Sequence, residues 1–98
     1  MNLKDNTVYT FKLNSGEEIV GKVKAQHPQY FDIEAPLSTA PTQQGMQLMP
    51  ALFTTDLNAD IQLNKNSIAI VSEPRQDVVD VYRESTTGIQ VNKKQIIM

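Results

Sequence analysis

Apolar and polar residues alternate along the first third of the chain, and that period of two predicts strands. Tyr9, Phe11 and Leu13 share one face of a strand over residues 8–13. Asn14, Ser15 and Gly16 form a tight-turn signal. A second strand follows over residues 18–25, with Ile19, Gly21, Val23 and Ala25 on one face. Gly21 has no side chain to pack, so it marks a bulge or a sharp bend. His27, Pro28 and Gln29 break the run. A third strand over residues 30–35 turns Phe31, Ile33 and Ala35 inward and Tyr30, Asp32 and Glu34 outward.

Residues 36–50, with Pro36, Ser38, Pro41 and Gly45, read as a long loop. Residues 46–53 are apolar but interrupted by Pro50, and fit either a strand or an ordered loop. Leu57, Ala59, Ile61 and Leu63 alternate with Asn58, Asp60 and Gln62, which predicts a fourth strand. Asn64, Lys65 and Asn66 make a turn, and residues 67–71 a fifth strand that Pro74 closes. Beyond it, Val78, Val81 and Tyr82 fit helical spacing, while residues 78–82 also have strand composition. A short helix is the favoured reading. The last ten residues read as a tail that orders against a partner. Five short strands at close spacing predict a mainly β domain, a small and strongly bent open barrel of the SH3-like or OB type. It would span residues 1–74, with a C-terminal extension over 75–98.

At 98 residues and 40% hydrophobic, the chain supports one domain with a modest core. It has no cysteine, so neither a disulfide framework nor a thiolate metal site is expected. No apolar run approaches the roughly 20 residues that span a bilayer, and residues 1–6 lack the apolar core of a secretory signal. The expectation is a cytoplasmic protein with no membrane partner. A net charge of −2 argues against sequence-blind binding of duplex DNA, which rests on phosphate neutralisation. It leaves room for single strands, which bind by stacking and base-edge hydrogen bonds.

The spacing of Leu13, Gly16, Gly21 and Val23 resembles the first signature segment of the Sm-like proteins (Sm, LSm and bacterial Hfq). In that pattern the first glycine serves a hairpin turn and the second a strong bend. Residues 63–68, Leu63-Asn64-Lys65-Asn66-Ser67-Ile68, resemble the second signature, with Asn64 and Lys65 in place of its basic-Gly pair. Lys65 also matches the lysine of the Hfq version. The resemblance covers about residues 7–72. It implies an Sm-like barrel and a homo-oligomeric ring, in which the fourth strand of one subunit pairs with the fifth of the next. About five to seven subunits fit such a closed heterologous contact. It further implies binding of single-stranded RNA, or of DNA as the lesser candidate, at the ring pore, in a role in RNA or DNA processing. Tyr30 falls on the base-stacking position, Asp32 on the position usually held by Asn, and His27 on one usually held by Asp.

The expected nucleic-acid contacts are therefore Tyr30, Asp32, Lys65 and Asn66, with His27 beside them and Lys22 and Lys24 as a basic rim. Gly16 and Gly21 are structural. An ionised Asp32 accepts hydrogen bonds but cannot donate, so Asp32→Asn is expected to strengthen binding or change base preference. Nothing in the chain has the setting of a catalytic serine, a phosphate-binding glycine loop or a calcium loop. A non-enzymatic protein with no metal or cofactor is expected. The alternative function is a structural or assembly module that docks a protein partner through the barrel and the C-terminal segment. Val78, Val81, Tyr82, Ile89, Val91, Ile96 and Ile97 would supply the docking surface.

Overall fold

The computed structural model describes residues 2–56 and 59–87. Over these residues the protein is mainly β, with one bent antiparallel sheet that does not close and one short helix towards the C-terminus. The strands are β1 (Thr7–Leu13), β2 (Glu18–Gln26), β3 (Tyr30–Thr42), β4 (Gly45–Pro50), β5 (Ile61–Asn64) and β6 (Ile68–Ser72). A 3-10 turn, Lys65–Ser67, joins β5 to β6, and α1 covers Gln76–Thr87. The main sheet order is β4-β3-β2-β1-β6, and β5 pairs with β3 off that path.

Gly16 closes the β1–β2 hairpin at φ 95, a conformation that costs glycine nothing sterically. At the bend, Val20 pairs with Leu37 and Lys22 with Glu34, so Gly21 alone faces Ala35 and Pro36. Ala35 absorbs the extra residue at φ 50. A Cβ on Gly21 would lie 2.5 Å from Ile33 Cγ2, which explains why no side chain stands there. A second bulge, with Lys24 as the extra residue, lies on β2 between Val23 and Ala25. The Ala35 bulge also divides β3. Its first part, from Tyr30 to Ile33, pairs with β5, and its second part, from Leu37 to Thr42, pairs with β4.

The segment expected to be a 36–50 loop is therefore a correction. It is the second half of β3, a turn at positive-φ Gly45, and β4. Pro36 is buried at the bulge, Ser38 and Thr39 are half-buried on β3 between β2 and β4, and only Pro41 and Thr42 are exposed, where β3 runs on past β2. The fourth predicted strand is shorter than expected, because Ala59 and Asp60 precede β5 and Leu57 and Asn58 lie outside the described residues.

Inside the bend, Tyr9, Phe11, Ile19, Val23, Phe31 and Ile33 form the core, each at most 7% exposed. The other sheet face carries a second cluster of Val20, Leu37 and Tyr82, flanked by Val8, Leu48 and Val78. Val78 and Tyr82 are one turn apart on α1, so the helix lays that face on the sheet. Val78 and Tyr82 were expected to face a docking partner; they are instead packed against the chain's own sheet, Tyr82 at 2% exposure. Val81 is exposed, and Ile89, Val91, Ile96 and Ile97 lie outside the described residues.

The Tyr82 hydroxyl enters the β2–β3 ladder at the bulge. It accepts a hydrogen bond from the Lys22 backbone N–H at 3.1 Å and donates one to the Glu34 carbonyl. Lys22 and Glu34 are register partners, so the phenol bridges two groups that the bulge holds apart. Burial drives the Tyr82 phenol well above the ordinary tyrosine range. The Lys22 N–H hydrogen bond opposes that rise, and the Glu34 carboxylate adds to it.

Candidate nucleic-acid interface

The β2–β3 turn is tight, closed by the His27 N–H donating to the Tyr30 carbonyl at 2.9 Å. Strand pairing then fixes Tyr30 opposite Asn64, and Asp32 opposite Gln62. The 3-10 turn after β5 is held from three directions. The Asn64 side chain accepts from the Asn66 N–H at 2.9 Å, which satisfies a donor that the turn leaves over. The Asn14 side chain donates to the Asn66 carbonyl at 2.7 Å, and the Lys65 N–H donates to the Gln29 carbonyl at 2.9 Å. Two segments far apart in sequence, 27–32 and 64–66, thereby become one surface.

On that surface the His27 ring stacks on Tyr30, with centroids 4.5 Å apart and planes inclined at 23°. His27 Nε2 lies 2.9 Å from Asp32 Oδ2. The Lys65 ammonium stands 4.8 Å from the centroid of the Phe31 ring, a cation–π arrangement above the core. Its stem covers apolar surface while the charge stays at the boundary with solvent. Asn66 is exposed. The site thus offers rings, one ammonium, an amide and a carboxylate that already has a partner.

The expected site residues divide in two. His27, Tyr30 and Asp32 touch one another, while the turn that bears Lys65 and Asn66 joins them through its backbone and carries the Lys65 ammonium over the buried Phe31 ring. Lys22 and Lys24 lie along β2 instead. Lys24 faces Glu34 at 3.7 Å and Asp60 at 4.0 Å, so two carboxylates balance it. Lys22 is beside Glu34, Tyr82 and Arg83 in a groove between α1 and the sheet. Asn14, Gln29 and Asn64, which hold the two turns together, were not among the expected residues. Asn64 carried a readable signal, an Asx side chain two residues before a free N–H. Asn14 and Gln29 carried none, because their partners are remote in sequence. Among the described residues no group of three or more His, Cys, Asp or Glu side chains is placed to hold a metal ion. No helix among them is long and apolar enough to cross a membrane.

No protein-family model and no curated protein matches the chain.

Proposed function

We propose that this protein is a divergent Sm-like, non-enzymatic ring protein of the cytoplasm that binds single-stranded RNA, and DNA less readily. The observation that carries the reading is the meeting of Tyr30, Asp32, Lys65 and Asn66 at two adjoining turns. Tyr30 stacks a base, a contact worth roughly 1–3 kcal/mol. Lys65 meets phosphate, and Asn66 bonds a base edge or the backbone. Each contact is weak alone, and a ring presents several copies of them to one strand.

Two open edges support the ring. Among the described residues β5 pairs only with β3, and β6 only with β1, so each has an edge at which another copy could pair. Fluorescence anisotropy with short homopolymer RNA and DNA at two salt concentrations tests the binding. The expected result is single-strand binding that weakens with salt and falls on Tyr30→Ala and on Lys65→Ala. An intact ring that binds no oligonucleotide at low salt would overturn the reading.

Exposed apolar side chains on and after β4 favour a second reading, docking of a protein partner at that edge. Met46, Met49, Leu52 and Phe53 are between 38% and 77% exposed. Capture of one stoichiometric protein from the native host, insensitive to nuclease and abolished by Phe53→Ser, would support docking over nucleic-acid binding.

A further inference from the structure

His27 is the one histidine of the chain, and it is held on two sides. Asp32 grips Nε2 at 2.9 Å, and the Tyr30 ring lies along its face at 4.5 Å between centroids. Neither partner is free to drift. Asp32 is pinned by pairing with Ala25 of β2 and Gln62 of β5, and Tyr30 by pairing with Asn64. The His27 side chain is nevertheless 37% exposed, open to a ligand. An imidazole so oriented extends the stack that Tyr30 begins.

We propose that His27 and Tyr30 form a single stacking platform for single-stranded nucleic acid, and that Asp32 is the positioning residue holding the imidazole, so that binding strengthens when His27 takes up a proton. The inference rests on the reading that this cluster binds single strands. Stacking needs a fixed ring plane, which the Asp32 contact supplies. The charge argument points the same way. An ionised Asp32 beside a neutral imidazole presents one negative charge to phosphate, whereas beside an imidazolium the pair is neutral. The charged and titratable groups in contact with His27 are Asp32 and Tyr30, both on β3. Of these side-chain types, histidine is the one that ordinarily changes charge between about pH 5 and pH 8. Asp32 therefore acts through His27 and does not read base edges, so Asp32→Asn should leave base preference unchanged.

The test is fluorescence anisotropy of the full chain with a short labelled oligouridylate at about pH 5.5 and about pH 8, either side of histidine's ordinary titration. Uracil adds no titrating group in that range. The wild type should bind roughly three- to tenfold more tightly at the lower pH, the effect of one charge about 6 Å from a phosphate in a water-like to intermediate dielectric. His27→Gln should bind more weakly at low pH and lose most of the pH response. Asp32→Asn should leave the preference between oligouridylate and oligoadenylate unchanged. Wild-type binding with no pH response, or an Asp32→Asn protein that switches base, would overturn the inference and leave the single-strand reading standing. Failure of the wild type to bind at either pH would overturn both.

Discussion

Tyr82 joins the helix to the bend of the sheet with one oxygen atom. Its hydroxyl serves the Lys22 N–H and the Glu34 carbonyl, so removing it leaves both groups unmatched beside a buried ring. Tyr82→Phe should cost about 1–3 kcal/mol, read as a lower urea midpoint. The raised phenol also sets a pH dependence. Above the ordinary tyrosine value of about 10 the unfolded chain gives up this proton while the folded chain keeps it. The unfolded state then binds fewer protons, and stability falls as pH rises. Alkaline urea titrations should show that fall, and Tyr82→Phe should make it shallower. At Gly21, alanine would press a methyl onto Ile33, and a loss of about 1–3 kcal/mol is expected from the same measurement.

β3 is the element on which the molecule turns. Its length comes from two pairings in series, with β5 and then with β4, and the Ala35 bulge is the joint between them. Ala35→Gly should be tolerated, because glycine adopts a positive φ freely. Ala35→Val should destabilise by about 1–3 kcal/mol, since a β-branched residue fits that conformation poorly. Thermal unfolding of the two variants side by side separates backbone strain from packing. β2 follows the same logic from the other side, with Gly21 at the first bulge and Lys24 at the second.

At the scale of the whole molecule, the open sheet sets the expectation. β6 carries Ile70 at 61% exposure, and its outer edge has no partner strand among the described residues. The proposed ring would use that edge against β5 of the next copy. Light scattering at micromolar concentration should give a closed multiple of the 11.0 kDa chain mass. Ile70→Glu should lower that mass while leaving far-ultraviolet circular dichroism unchanged. A wild-type monomer would overturn the assembly. The C-terminal helix is part of the folded domain rather than an appendage, so truncation after Glu73 should expose Val20 and Leu37 and reduce stability.

The sequence by itself determined the mainly β class, the Gly16 turn, the Gly21 bend, and the inward faces of Tyr9, Phe11, Ile19, Val23, Phe31 and Ile33; Ala25 and Ala35, assigned to the same face by alternation, are not on it, because Ala25 pairs with Asp32 beyond one bulge and Ala35 packs with Val20 and Leu37 at the other. Alternation and glycine placement are local signals, and the pleat translates them directly into sides of a sheet. It also favoured a helix at the C-terminus from the spacing of Val78 and Tyr82. Only the tertiary structure decided which face that helix would cover. Val8 and Val20 sit on the side that alternation assigned to solvent, and they are apolar because α1 lies there. The hairpin over 36–50 was illegible because serine, threonine and proline mark loops locally, and the strands that flank them, β2 and β4, are fixed only by the tertiary pairing. The sequence singled out Tyr30, Asp32, Lys65 and His27 one by one. It could not tell that His27 would take Asp32 as its partner, or that Asn14 and Gln29 would hold the turn bearing Lys65. Those contacts depend on how sharply the sheet bends, and the bend is set by two bulges and a phenol from the far end of the chain.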